Sequence, residues 1–368
     1  MPAKRRKVVV VGAGNIGSAA LALLGRNPMV SHVVVIDHDT YEAKNAASQD
    51  IDPIADAGQP KAIAAERRLK AIRPNGDLLV TPVVDLVQNV PLGMMRADVI
   101  VGCLDSRLAR QAINRIAFRL GVPLIDTGVS ADEMLARMSL HVPGRRASCL
   151  ECSWSERDYE LIEHQYGCDG QLSSAPSTGA PAALGALAAS LAALECQKLM
   201  AGGPGQWIVG KKILLSAAWH RHYVTDVPRN RACKFDHLTW GIEHVRSMRT
   251  VRDLVRLVRP SSNAGASISI GLEGRHWIRQ LQCPDCGRQR ETLCMEGRLP
   301  ERLATCRCGR AMMAMGALCP SRLALAELEG TPPDRPIESI GLRKLDVLSI
   351  SNGQRDRHVQ IGTAPTAH

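Results

Sequence analysis

The chain has 368 residues, 46 basic against 36 acidic side chains for a formal charge of +10, and 45% apolar residues. This is ordinary globular composition, and it excludes collagen, coiled coil and wholesale disorder. The positive charge suits an acidic partner in general. Only 3% of residues are aromatic, however, so stacking surfaces for single-stranded nucleic acid are scarce and no nucleic-acid partner is expected.

Val8 to Val11 is a continuous apolar strand that leads at once into the glycine turn Gly12 to Gly17, which argues against a secretory signal and for a cytoplasmic protein. Ser18 to Leu24 comes next as a helix and Val33 to Ile36 as a strand ending in Asp37, completing a βαβ unit. A helix over Ala62 to Ile72, strands at Asp77 to Thr81 and Asp98 to Gly102, a helix over Ser106 to Leu120 and a strand at Pro123 to Asp126 continue the alternation. The pattern predicts an α/β, Rossmann-like, mostly parallel sheet with helices on both faces and its ligand at the carboxyl ends of the strands.

After Pro143 a cysteine-bearing loop leads to a charge-free stretch, Gly170 to Leu194, built of Ala, Ser and Gly with two prolines. Its hydrophobicity is too weak for a membrane span, so a loop and then a buried helix over Pro181 to Met200 is expected. Strands near Trp207 to Leu214 and His220 to Val224 close a first domain over residues 1–243. A basic amphipathic helix (Thr250 to Val258), a Ser/Asn/Gly linker near Ser261 to Gly265 and a cysteine-rich segment (Cys283 to Cys319) make a second, zinc-ribbon domain over 244–330. Residues 331–368, with Pro332, Pro333 and Pro336, read as a linker and a short β element.

Gly12-Ala-Gly14-Asn-Ile-Gly17 fits GxGxxG between a strand and a helix, where bare backbone approaches phosphate and the helix N-terminus faces negative charge. With Asp37 placed to accept ribose hydroxyls, an NAD-dependent oxidoreductase satisfies this much. Such an enzyme has no use for Asp39, Asn45, Gln49, Gly58-Gln-Pro-Lys61 opening a helix, or Cys103-Leu-Asp105 at a strand end. ATP-dependent adenylylation needs these groups, a carboxylate for the metal and cations and amides for the charge that grows on the α-phosphate. Taken singly, Lys61 could merely begin its helix and Asp105 could merely cap one. Arg67, Arg68 and Arg73 read as a solvated helix face.

The ordered set GxGxxG, Asp-x-Asp, Asn-x-x-x-Gln, Gly-x-x-Lys and the Asp at the strand end, over about Lys7 to His237, resembles the ubiquitin-activating enzyme superfamily. That superfamily includes the adenylyltransferases of sulfur-carrier proteins and bacterial members with extra C-terminal modules. The resemblance implies that Gly12, Gly14 and Gly17 line the ATP phosphates, Asp37 holds the ribose with Asp39 as second acid, Asn45, Gln49 and Lys61 serve the phosphates, and Asp105 binds Mg2+. It implies as substrate a ubiquitin-like protein with a C-terminal glycine, a conjugating-enzyme-like acceptor, and a homodimer. Two departures stand out: relatives usually have an arginine where this chain has Ser48, and an N-terminal helix with a phosphate-reaching arginine ahead of the first strand. Arg107, Arg110, a partner subunit or an associated protein could supply the missing cations, and so could the Lys4-Arg5-Arg6-Lys7 stub, which otherwise reads as a solubilising terminus.

Cys149-x-x-Cys152 and Cys233-x-x-x-His237 make a soft four-ligand set suited to structural zinc, and relatives carry CxxC pairs at both places. Cys168 lies between them, where the resemblance implies a crossover loop whose thiolate can take the acyl group; a spare metal ligand or an inert loop thiol is the alternative. Cys283-Pro-Asp-Cys286 and Cys306-Arg-Cys308 predict a second Zn2+ site, with Cys294 or Cys319 able to replace a ligand because the second pair is one residue short. The leading expectation is adenylation of a ubiquitin-like protein, continuing to a thioester on Cys168. The alternatives are a sulfur-carrier adenylyltransferase, synthesis of a peptide-nucleotide antibiotic, an NAD-binding oxidoreductase and an inactive scaffold.

Overall fold

The computed structural model describes residues 5–163, 179–202, 207–259, 267–315 and 319–362. The chain forms two compact units, one of residues 1–87 and 95–239, the other of 88–94 and 240–368.

The first unit is built on an eight-stranded sheet. Its strands are β1 (Arg6–Val11), β2 (Val30–Ile36), β3 (Leu79–Val83), β4 (Val99–Gly102), β5 (Leu124–Ser130), β6 (Leu135–His141), β7 (Lys211–Ser216) and β8 (Arg221–Asp226), in the order β3-β2-β1-β4-β5-β6-β7-β8. The first five run parallel and the last three antiparallel. Chain order reverses between β1 and β4, and the crevice at such a switch point is where open α/β sheets bind ligands. Val8 to Val10 are fully buried, as a central parallel strand covered on both faces must be.

Helices α1 (Asn15–Gly25), α2 (Lys61–Ile72), α3 (Arg107–Leu120), α4 (Glu156–Glu163) and α5 (Ala182–Ala201) occur in chain order. The α1 and α5 helices cover one face, burying Leu21, Leu24, Ala192 and Cys196 against Val8, Val10, Ile125, Met138 and Leu140. The α3 helix covers the other. Its cap is Ser106, whose Oγ accepts from Ala109 N at 3.4 Å, and it stops at left-handed Gly121. By length and composition alone α5 could cross a membrane. Here Leu184, Ala188, Ala189 and Ala192 are buried, packed with residues of α1 and the sheet, as expected of a core helix.

The strand after Pro123 runs on to Ser130, and its antiparallel partner β6 was not among the expected strands. Arg67, Arg68 and Arg73 are not a merely solvated face. Arg67 pairs with the buried Asp56, Arg68 with Asp50 at 2.5 Å, and Arg73 donates to Val30 O at 2.6 Å and pairs with Asp77 at 2.5 Å. These arginines tie the segment before α2 and strand β2 to the helix. In the N-terminal basic stub, Arg6 is spent on Asp98 (2.7 Å) and Met200 O (2.9 Å).

The second unit has β9 (Ile242–Val245), α6 (Val251–Val258), β10 (Ser269–Gly271), β11 (Trp277–Gln282), β12 (Gln289–Met295), α7 (Glu301–Ala304), β13 (Met313–Ala314), β14 (Arg322–Ala324), α8 (Leu325–Glu329), β15 (Val347–Ser351) and β16 (Asp356–Ile361). A five-stranded sheet runs β14-β10-β15-β16-β9 and a three-stranded one β12-β11-β13. The expected helix at Thr250 is there, with Thr250 and Asp253 capping each other. The tail expected as a linker and short element supplies two adjacent strands, β15 and β16, to the larger sheet. Its core gathers Leu254, Ile270, Trp277, Leu348 and Val359.

Candidate functional site

The glycine loop joins β1 to α1 at the switch point. Gly12 has φ +93°, and a Cβ there would lie 2.4 Å from Cys103 O on the neighbouring strand end. A Cβ on Gly17 would lie 1.9 Å from Gly12 O, so α1 can approach the loop only with glycine at that position. Gly14 has no heavy atom within 4 Å of a notional Cβ, which leaves its backbone open to an incoming group. The first turn of α1 carries no acidic side chain. Open backbone at an uncompensated helix N-terminus fits a polyphosphate.

Asp37, at the end of β2, is buried and accepts from Ala13 N at 2.6 Å and Asp39 N at 2.8 Å. These bonds fix the loop and leave lone pairs on both oxygens for hydroxyl donors. Burial raises the Asp37 carboxyl above the usual carboxylate range, opposed by the Lys61 ammonium and the two amides. Asp39 is half exposed and receives Lys61 Nζ at 2.8 Å. Burial acts to raise it, but the Lys61 hydrogen bond and charge outweigh that and hold it below its ordinary value. Lys61 is nearly buried, its ammonium 5.9 Å from the Tyr41 ring centre, and Tyr41 Oη donates to Ala13 O at 2.7 Å. The lysine is thus a cation stored at the strand ends beside the glycine loop. Asn45 is half-buried, and its Oδ1 accepts from Glu42 N at 2.8 Å. Gln49 Oε1 is buried with no hydrogen-bond partner among the described residues.

Asp105 lies just beyond β4 and is exposed. Ser106 takes the capping role, so among the described residues the Asp105 carboxylate has no hydrogen bond or ion pair. A solvent-facing carboxylate at the switch point fits a hydrated magnesium ion. Arg110 is not available to a phosphate, because it is buried against Asp126 and Leu104 O. Arg107 pairs with Asp158 at 3.0 Å. Cys168 and Lys4 lie outside the described residues.

The two cysteine sets come together as four-ligand clusters. Ligand atoms of Cys149, Cys152, Cys233 and His237 all lie within 4.8 Å of one another, as do the sulfurs of Cys283, Cys286, Cys306 and Cys308. In the first, Cys149 Sγ is 3.8 Å from both Cys152 and Cys233 sulfurs, and Cys152 Sγ is 3.1 Å from His237 Nε2. His237 has φ +61° and sits edge-on to Phe118, with its ring centre 5.6 Å away. The hydrogen bond from Cys149 pulls the Cys152 thiol down to about 4.

Sequence reasoning missed Glu151 beside these ligands. It is buried and takes Asn114 Nδ2 at 3.0 Å, Gln111 Nε2 at 3.1 Å and Tyr159 Oη at 3.2 Å, locking the cysteine turn to α3. A charged residue between two cysteines in an otherwise apolar knot was the available signal.

In the second cluster Cys283 and Cys308 sulfurs are 3.5 Å apart and Cys286 and Cys306 sulfurs 3.6 Å. Gly287 and Gly309 come directly after the two pairs at φ +66° and +86°. Arg310 Nε reaches from the second turn to Asp285 in the first at 2.6 Å. The short Cys306-Arg-Cys308 spacing therefore needs no substitute ligand: Cys294 and Cys319 turn their sulfurs to Arg298 O and Met315 O, each at 3.4 Å. Four soft ligands within one sphere suit tetrahedral zinc in both places.

Among curated proteins the chain is 28% identical over 232 residues to the "Sulfur carrier protein adenylyltransferase" of Thermus thermophilus, across 62% of this chain and 82% of that protein. It is 26% identical over 234 residues to the "Molybdopterin-synthase adenylyltransferase" of Escherichia coli, across 63% and 87%. Against "Ubiquitin-like modifier-activating enzyme 5" of Dictyostelium discoideum it is 29% identical over 162 residues, 39% of this chain and 40% of that one. The ThiF family profile matches residues 3–234, from ahead of β1 to beyond Cys233. On that match, which spans well over half of its length, the chain belongs to the ThiF family.

Proposed function

We propose that this protein is an ATP-dependent adenylyltransferase that activates the C-terminal glycine carboxylate of a small sulfur-carrier protein of ubiquitin-like type. One observation carries the reading: the two relatives aligned over more than four fifths of their own length bear the names sulfur-carrier-protein and molybdopterin-synthase adenylyltransferase. It favours sulfur-carrier activation over ubiquitin-like conjugation, for which the match spans 40% of the relative. An oxidoreductase reading has no use for Lys61 and Asp105 beside the loop.

In this reading the open backbone at Gly14 and the N-terminus of α1 receive the phosphates. Asp37 takes ribose hydroxyls, and Lys61 leaves Asp39 to meet charge on the leaving pyrophosphate. Asp105 and Asp39 are the carboxylates available to Mg2+, which supplies positive charge to the phosphates when bound. The glycine carboxylate oxygen attacks the α-phosphorus; that P–O bond forms as the bond to the bridging oxygen breaks, and its electron pair leaves with pyrophosphate. No electron is transferred and no proton is required. Zinc at the two cysteine clusters is structural, since each offers a closed four-ligand set with no position for substrate.

The test is mass spectrometry of a carrier protein ending in glycine after incubation with this protein and ATP. The reading expects a carrier bearing AMP at its C-terminus and no reducible adduct on non-reducing gels. A thioester-linked adduct that disappears in Cys168→Ala would move the assignment to the ubiquitin-like conjugation reading.

A further inference from the structure

We infer that Arg137 and Lys212 form a binding site for a carboxylate side chain in the C-terminal tail of the protein substrate, a few residues upstream of the glycine that is adenylated; this rests on the function proposed above.

The observation is a surplus of half-buried cations on the α3 face of β5, β6 and β7. Ala136, Met138 and Leu140 of β6 pack toward α1 and α5, so the alternating Arg137, Ser139 and His141 point the other way. Lys212 of β7 pairs with Ser139, and Arg137 pairs with Leu214, so Arg137 and Lys212 are diagonal neighbours on that face. Arg107 and Arg110 of α3 approach from above. The carboxylates there are Asp158, held by Arg107 at 3.0 Å, and Asp126, whose Oδ1 is held by Arg110, so four cations face two carboxylates.

Lys212 is left over, and Arg137 has only a long ion pair. Arg137 Nη1 comes no nearer than 3.7 Å to Asp126 Oδ2, and that oxygen is buried with no hydrogen-bond partner among the described residues. Lys212 has no ion pair or hydrogen bond from its ammonium among the described residues, and both side chains are half-buried. The site is built, because the Arg137 side chain lies across bare backbone at Gly128, where a Cβ would come within 2.4 Å of its Nε. Arg110, then burial, holds the Arg137 guanidinium down to about 10; burial, then Arg137, lowers Lys212. Like charges gathered in a partly dry place are stabilised by an anion that bridges them.

Position selects the class of anion. The α1 helix, which the glycine loop opens, packs on the opposite face of the sheet from this pair. Gly102 pairs with Asp126 across β4 and β5, and Gly128 with Arg137 across β5 and β6. Arg137 therefore stands two strand spacings, about 10 Å, from β4, which Asp105 follows three residues on, and extended chain covers that in roughly three residues. A tail with its terminal carboxylate at Asp105 would set the side chain of its third to fifth residue from the end beside Arg137.

The test uses ATP–pyrophosphate exchange with a ubiquitin-like carrier ending in glycine, made with Glu or with Gln at each of those tail positions. Wild-type protein is expected to show a KM about tenfold lower for the Glu carrier at one of them, the strength of a charge-assisted hydrogen bond. In Arg137→Gln the ratio of the two KM values collapses toward one, Lys212→Gln lowers it partway, and Arg137→Lys retains most of it. Calorimetric binding of the two carriers gives the same ratios should a variant turn over too slowly. A wild-type ratio near one, or a ratio unchanged in Arg137→Gln, overturns the inference. So does a variant whose defect lies in the KM for ATP. Exchange with neither carrier removes the adenylyltransferase reading and this inference together.

Discussion

Asp105 stands in solvent at a strand end because the residue after it, Ser106, caps α3. A carboxylate without a structural partner can be removed at little cost to folding. Asp105→Asn is therefore expected to lower pyrophosphate exchange by about 10²–10³-fold while leaving the melting temperature in place, measured by calorimetry on the same preparation. Gly17 is the reverse case. With a Cβ 1.9 Å from Gly12 O, Gly17→Ala forces α1 away from the loop. Denaturant titration is expected to show a loss of about 1–3 kcal/mol, and ATP binding should weaken with it. Cys103 belongs to the same corner, and burial pushes its thiol up to about 12. It is expected to resist alkylation in the folded protein, with modification at Cys103 under native conditions as the contrary result.

At the scale of elements, the cysteine turns make a claim that metal analysis can check. Cys152→Ser removes one of four ligands from a buried cluster wedged against Phe118 and Phe235, so bound zinc should fall from about two per chain to about one. Cys286→Ser should give the same stoichiometry by emptying the other cluster.

The β1-α1-β2 unit, the strand before Asp105 and the four ligand pairs of the two cysteine clusters were legible because each is local: an apolar run, a glycine turn, a ligand spacing. Strand β6 was missed although Ala136, Met138 and Leu140 alternate with Arg137, Ser139 and His141 in the period of a strand with one buried face. The five-stranded sheet was not legible. It joins strands of three to six residues from Ile242 to Ile361, and long-range pairing leaves no mark in any short window. The arginines of α2 were misread for a related reason, because their partners Asp50, Asp56 and Val30 O come from outside the helix.

Over the whole molecule the chain enters the second unit twice, first as 88–94 between β3 and β4 and again from residue 240. Within that unit Arg298 is buried, pairs with the buried Asp346, and donates to Asn89 O at 2.8 Å and Gly341 O at 2.9 Å. Gly93 N donates to Leu345 O at 2.8 Å. Residues 88–94 are thus part of the second unit's structure, although they interrupt the nucleotide-binding one. Arg298→Met leaves Asp346 buried without its cation and is expected to cost about 3–5 kcal/mol, read as an early unfolding transition.

The proposed function assigns to the switch point of this ThiF-family chain the transfer of AMP to a protein carboxylate. The decisive measurement is ATP–pyrophosphate exchange by the full chain, with and without a carrier protein ending in glycine. Exchange is expected to require the carrier, to require magnesium and to be lost in Asp105→Asn. Exchange that proceeds equally without any carrier, or in Asp105→Asn, would refute that assignment.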